Sequence, residues 1–201
     1  MAKYVRAYVG LGSNLGDARA TLTDAVRALT ALTGVRLRGV SPLYRTKPVG
    51  VTEQPDFLNA VVALDVPAGP DPETGALAFL GALKELETAL GRRPRERWGP
   101  REIDLDLLLF GTHRLHVVRP AGRWLEVPHP EMRERLFVLA PLGELAPRLR
   151  PPGWNESVGS ARRRQEHAAA GEAVQWLGRW DLEANAWTAT AQSAGPVPYQ
   201  S

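Results

Sequence analysis

Asp104 and Asp106 stand two residues apart in the run IDLDLLLF, residues 103–110. Side chains alternate faces along a strand, so the two carboxylates point one way while Ile103, Leu105 and Leu107 turn the other way, toward a core. Paired carboxylates on a rigid strand can hold divalent cations. Just upstream, RRPRERWGPR sets Arg92, Arg93, Arg95, Arg97 and Arg101 around Trp98. Guanidinium forks match phosphate oxygens two at a time, and an indole can stack on a flat ring. Cations beside arginines suit a polyphosphate, and ATP offers both phosphates and a base. A solvated edge strand is the plainer explanation of alternating acids. The apolar run from Leu107 to Phe110 speaks instead for a central strand, where carboxylates without counter-charge are costly. A merely solvated basic loop would need neither Trp98 nor the stiffening of Pro94, Gly99 and Pro100.

Other residues are weighed in the same way. GLGSNLG, residues 10–16, lies between a strand and a helix, but its spacing is G-x-G-x-x-x-G and no acidic residue ends the second strand to take a ribose. Glycines for a tight turn are the better reading. His113 and His116 flank a turn with no third ligand near, which makes them surface histidines rather than a zinc site. His129, fixed between Pro128 and Pro130, is the better candidate for a phosphate or nucleotide contact, helped by Arg135. Phe57 and Asn59 share a strand face behind the proline-bent loop SPLYRTKPVG. An aromatic and an amide side by side suit a flat polar heterocycle.

The elements that must position these groups follow from periodicity. Residues 4–9 alternate as a strand, and residues 18–33 carry Leu22, Ala25, Val26, Leu29 and Leu32 at helical spacing. Ser13 or Asn14 can start that helix, with Asp17 near its positive end. Strands over residues 35–44 and 57–66, a helix over 77–90 and the aspartate strand complete a βαββαβ order. That order predicts an α+β, ferredoxin-like antiparallel sheet with helices packed on one face. Residues 127–147 read as a short helix, an apolar segment and a proline stop. From about Val158 the chain turns Ala- and Arg-rich with Trp176, Trp180 and Trp187, a C-terminal extension whose last dozen residues read as disordered. The expected division is therefore a catalytic domain over 1–157 and an extension over 158–201.

Composition bounds the function classes. The chain has 201 residues, 44% hydrophobic and 23% charged, which is ordinary for a soluble globular protein. There is no apolar stretch of about 18 residues to span a membrane. The start MAKYVRAYVGLGSN lacks the pattern of a secretory signal, and the absence of cysteine excludes disulfides and thiolate metal sites. A cytoplasmic protein is expected. A net charge of +3 argues only weakly for nucleic-acid binding.

Taken in order, GLGSNLGD, SPLYRTKPVG, QPDFLNA, ERWGPREIDLDLLLFG and VPHPEMRERLFVLAPL resemble the motif series of the 6-hydroxymethyl-7,8-dihydropterin pyrophosphokinase family, over residues 4–151. The resemblance implies an enzyme of folate biosynthesis in which the pterin's hydroxymethyl oxygen attacks the β-phosphorus of ATP and AMP leaves. It implies two Mg²⁺ ions held by Asp104 and Asp106, with Arg92 and Arg101 offsetting charge on the phosphates. The family's pterin pocket falls on Thr46, Pro48, Val49 and Asn59, with Phe57 and Phe137 as sandwiching aromatics and Trp98 bordering both substrates. Its ATP side falls on Lys84, Glu87, Arg92, Trp98, Arg101, Leu107, His129 and Arg135. Residues 49–56 and 92–98 become candidate lids. The departures are a shorter loop before Trp98, Lys84 where some relatives carry an amide, and Trp124 and Glu126 where some carry an arginine and a threonine. The expected partners are small molecules alone, with no nucleic acid and no membrane, bound by a monomer. The rival from another class is an RNA-binding module on the same kind of sheet, which needs exposed aromatics where Asp104 and Asp106 stand.

Overall fold

A computed structural model gives the fold and describes residues 3–48, 50, 53–96, 99–118, 124–168 and 174–188. Its centre is β1 (Tyr4–Ser13), paired antiparallel with β4 (Phe57–Pro67) on one side and β5 (Asp104–Phe110) on the other. β2 (Arg36–Val40) and β3 (Leu43–Thr46) both run along β4. The sequence reads them as one strand over 35–44, but Ser41 and Pro42 interrupt it. Pro42 has no N–H to give a ladder, and Ser41 takes over: its N donates to Val61 O at 2.9 Å, and its Oγ accepts from Val61 N at 2.9 Å. The aspartate strand is paired on one side by β1 and flanked by β7 (Trp124–Val127), which pairs with β6 (Leu115–Val118) in a separate two-stranded sheet.

The two faces of the large sheet carry separate cores. On one, α1 (Ala18–Ala31) and α2 (Pro72–Ala89) bury Leu22, Val26, Leu29, Phe79 and Leu83 against Val9, Leu11, Val62, Leu64, Leu105 and Leu107. Burial of each such side chain stabilises the fold by roughly 1.5–3 kcal/mol. The helix starts are set by Asp17 and Asp71, whose carboxylates accept from Ala20 N at 3.0 Å and Thr74 N at 2.9 Å. Asp17, rather than Ser13 or Asn14, is thus the cap of α1.

The opposite face is not left open. After a 3₁₀ turn at Met132–Glu134, α3 (Leu136–Leu145) and α4 (Val158–Ala168) pack Leu139, Leu142, Val158 and Ala161 against Tyr8, Val61, Ala63, Leu108 and Leu109. Helices therefore cover both faces, whereas the βαββαβ pattern accounts for one. The extension adds β8 (Gln175–Asp181) along β3 and β9 (Ala186–Thr188) along β8. The resulting seven-stranded sheet has the order β5-β1-β4-β3-β8-β9, with β2 also on β4. The last dozen residues, expected to be disordered, lie outside the described residues. No helix among the described residues is long and apolar enough to cross a membrane.

Candidate active site

Where β1, β4 and β5 face away from α1 and α2, the pleat presents Gly10 and Gly12, then Asn59 and Val61, then Asp104, Asp106 and Leu108. These residues floor a cavity of about 370 Å³. The two glycines lie inside β1, not in a turn. A Cβ on Gly12 would come within 3.3 Å of Asn59 Oδ1, so its bareness lets the amide and the aspartate stand side by side. Register completes the placement, because Gly12 opposes both Asn59 and Asp104, and Gly10 opposes Asp106.

One end of the cavity is densely charged. Arg92 Nη1 bridges two carboxylates, at 2.6 Å from Asp104 Oδ1 and 2.5 Å from Glu87 Oε1. Arg101 Nη1 pairs with the other oxygen of Asp104. Glu87, 3% exposed, also accepts from Leu105 N at 2.6 Å and from Lys84 Nζ at 2.7 Å, while Lys84 Nζ donates to Leu105 O at 3.0 Å. α2 is thereby keyed to β5 at the residue between the two aspartates. Burial holds the Glu87 carboxyl above its ordinary range, with Lys84 and Arg92 opposing. For Arg92 burial works downward, but Asp104 and Glu87 outweigh it and hold the guanidinium charged.

Asp106 differs from its neighbour. Among the described residues no cationic side chain forms an ion pair with it. Burial, and then the Asp104 charge, push its carboxyl upward. His129 beside it is pushed downward by burial, against the pull of Asp106. A second carboxylate next to one already neutralised by arginines calls for further positive charge. Among the described residues no group of three or more His, Cys, Asp or Glu side chains could hold a metal. Mg²⁺ is usually bound by one or two carboxylates together with waters and phosphates, a donor set that the Asp104 and Asp106 pair fits.

The other end suits a flat ring. Asn59 Nδ2 donates to Thr46 Oγ1 at 2.8 Å, both residues 6% exposed, and this ties β4 to β3 at the cavity wall. Phe57 and Phe137 border the same space from β4 and α3. Arg135 lies over Phe137 with its guanidinium 5.4 Å from the ring centre and also pairs with Glu131. His129 is fixed by its backbone N donating to Leu108 O at 2.9 Å.

Thr46, Phe57, Asn59, Lys84, Arg92, Arg101, Asp104, Asp106, His129, Arg135 and Phe137 are therefore brought to one cavity. Three expected residues are placed otherwise. Leu107 turns its side chain into the α1–α2 core at 3% exposure, because the alternation that exposes Asp106 hides its neighbour. Glu87 sits behind β5 as the anchor of Arg92 and Leu105 instead of lining the cavity. Pro48, one residue past the lining Lys47, does not border it among the described residues. Val49 and Trp98 lie outside the described residues.

Sequence reasoning missed Asn14. Its Nδ2 donates to Gln54 Oε1 and to Pro55 O, both at 3.0 Å, and its Oδ1 accepts from Arg101 N at 2.7 Å. One buried amide thus joins the loop before β4 to the arginine loop. A signal existed in the GLGSNLG run: an amide following a strand end can serve donors and acceptors at once.

Comparison with known proteins follows from this geometry. The family model described as 7,8-dihydro-6-hydroxymethylpterin-pyrophosphokinase (HPPK) matches residues 8–147. Proteins named 2-amino-4-hydroxy-6-hydroxymethyldihydropteridine pyrophosphokinase are similar in sequence. The one from Pseudomonas aeruginosa is 46% identical over 147 residues, covering 73% of this chain and 84% of the relative. That from Bacillus subtilis is 42% identical over 139 residues, covering 69% and 77%. Among solved structures, wild-type Plasmodium falciparum HPPK-DHPS superposes with a TM-score of 0.68 at 13% identity, covering 88% of this chain and 50% of that one. The chain spans about half the length of that protein, and at this identity the likeness speaks for the fold alone.

Proposed function

The chain belongs to the 7,8-dihydro-6-hydroxymethylpterin-pyrophosphokinase family, and on that premise we propose how its cavity transfers pyrophosphate from ATP to 6-hydroxymethyl-7,8-dihydropterin. The observation that carries the assignment of roles is one cavity with two unlike ends: arginines and paired aspartates at one, two phenylalanines and a buried amide at the other. The pterin lies between Phe57 and Phe137 with Asn59 and Thr46 at its edge, and the triphosphate lies along Arg92, Arg101, His129 and Arg135. Asp104, between the two ends, orients the hydroxymethyl group. Its oxygen forms a bond to the β-phosphorus, the bond from that phosphorus to the α,β-bridging oxygen breaks, AMP leaves and the hydroxyl proton is lost.

The protein's own residues align the reactants and balance charge, which is most of what phosphoryl transfer asks of an enzyme. Arg92 and Arg101, held on Asp104 in this structure, turn to the phosphates as ATP enters. We assign two Mg²⁺ ions to Asp104 and Asp106; when bound they neutralise phosphate charge at the reacting centre. Glu87 keeps Arg92 near the site by holding its guanidinium from behind. Trp98 and Val49 keep the roles that the family resemblance implies.

The strand order β5-β1-β4 with β2 and β3 outermost of these supports reading the scaffold as ferredoxin-like. Residues 1–157 carry the reaction, acting as a monomer on small molecules, and residues 158–201 support them. The RNA-binding alternative has no support: the corresponding strands present Gly10, Gly12, Asn59, Asp104 and Asp106 to the cavity, not adjacent exposed aromatics. The test is AMP formation by purified protein, which requires ATP, 6-hydroxymethyl-7,8-dihydropterin and Mg²⁺ together. No AMP with all three present overturns the reading.

A further inference from the structure

Among the places where the segment beyond the family match meets the site's framework, one is polar and joins three elements. Arg162, on α4, donates from Nη1 to Glu144 Oε1 at 2.8 Å and to Ala140 O at 3.4 Å, both on α3, and from Nε to Glu166 at 2.8 Å. Glu144 Oε1 also accepts from Tyr44 Oη at 3.3 Å, on β3. Tyr44 is 4% exposed; burial first, then Glu144, push its hydroxyl up to about 12, so it stays a donor at any physiological pH.

β3 and α3 are the elements that carry Thr46 and Phe137, two residues of the ring-binding end. Apolar contact alone does not close this junction. Tyr44 packs with Leu136 and Ala140 in a small buried cluster, and beside that cluster lies a pocket of about 180 Å³ bordered also by Arg162, Glu166 and Val174. Close packing sets part of the distance, and the pocket leaves the rest of the junction without apolar contact. The Arg162–Glu144–Tyr44 bridge ties the two elements beside it. On the α3 side the approach is tight: a Cβ on Gly143 would come within 3.1 Å of Arg162 Cδ.

We propose that Arg162 is a positioning residue for the pterin end of the site, holding β3 and α3 at the separation that the ring requires through Glu144 and Tyr44. The proposal rests on the pterin assignment above, so wild type is measured first. If wild type neither forms AMP nor binds the pterin, it is that assignment that fails. With an active wild type, Arg162→Met and Tyr44→Phe are each expected to raise the Kd for 6-hydroxymethyl-7,8-dihydropterin roughly three- to tenfold, a part of the effect of one lost bond to a charged group. The Kd for ATP is expected to stay within about twofold, and Arg162→Met with Tyr44→Phe to be no worse than Arg162→Met, since both break one bridge. Arg162→Lys is expected to recover part of the loss. An unchanged pterin Kd, equal losses for both substrates, or additive losses in the double variant overturns the proposal. Tyr44→Phe keeps the buried ring in place, so the test survives if Arg162→Met fails to fold.

Discussion

Asp104 and Asp106 share a strand face but not an environment. Asp104 is held by two arginines, while Asp106, half-buried beside it, has no such partner among the described residues and its carboxyl is pushed upward. Asp104→Asn and Asp106→Asn are each expected to lower AMP formation by roughly 10²-fold or more while circular dichroism stays that of wild type, because each removes charge where cations and phosphates must be balanced. Near-normal turnover in either variant would remove the metal assignment. At this scale the sequence was informative wherever alternation decides exposure. The same period-two rule that presents Asp104 and Asp106 hides the Leu107 side chain, as the alternation predicts. The role of Asn14 and the contact of Glu87 with Leu105 were illegible for a different reason: the partners Gln54, Arg101 and Leu105 are far along the chain and meet only in the fold.

Within the βαββαβ order, strand and helix existence followed from apolar periodicity, and α1, β4 and β5 lie where the sequence places them, while α2 starts earlier, at Pro72 behind its Asp71 cap. The split of one expected strand into β2 and β3 did not follow, because Ser41 replaces the ladder bond that Pro42 cannot make. Neighbouring strands are tied by charge as well: Arg6 Nε pairs with Asp65 Oδ1 at 2.6 Å, and Arg38 Nε with Asp65 Oδ2 at 3.2 Å, linking β1 and β2 to β4. The hydrogen bond from Arg6 holds the Asp65 carboxyl below its ordinary value. A carboxyl depressed in the folded state contributes stability above the unfolded value, about 3.9, and loses it as pH falls through the folded value. Asp65→Asn is therefore expected to lower Tm at pH 7, with the gap to wild type closing near about pH 2. A gap that stays constant between those pH values would contradict the role given to the charge.

At the scale of the whole molecule, Val158, Ala161 and Trp187 of the extension join the cores, which its Ala- and Arg-rich composition did not reveal. Trp187 is 4% exposed, packs edge-on to Trp180 at 4.7 Å and donates from Nε1 to Ser41 O at 2.9 Å, at the break between β2 and β3. Trp187→Ala is expected to destabilise the protein by roughly 3–5 kcal/mol, and Trp187→Phe by about 1 kcal/mol for the lost hydrogen bond, measured by urea unfolding. Equal effects of the two would mean that the hydrogen bond, not the packing, secures the hairpin. The hairpin and α4 together hold β3 and α3, so the part of the chain after Val158 reaches the site through its walls. The central claim concerns which phosphorus is attacked, and γ-labelled ATP tests it most directly. With 6-hydroxymethyl-7,8-dihydropterin and Mg²⁺, attack on the β-phosphorus puts the label in a diphosphorylated pterin and releases unlabelled AMP in equal amount. ADP with a monophosphorylated pterin would contradict it.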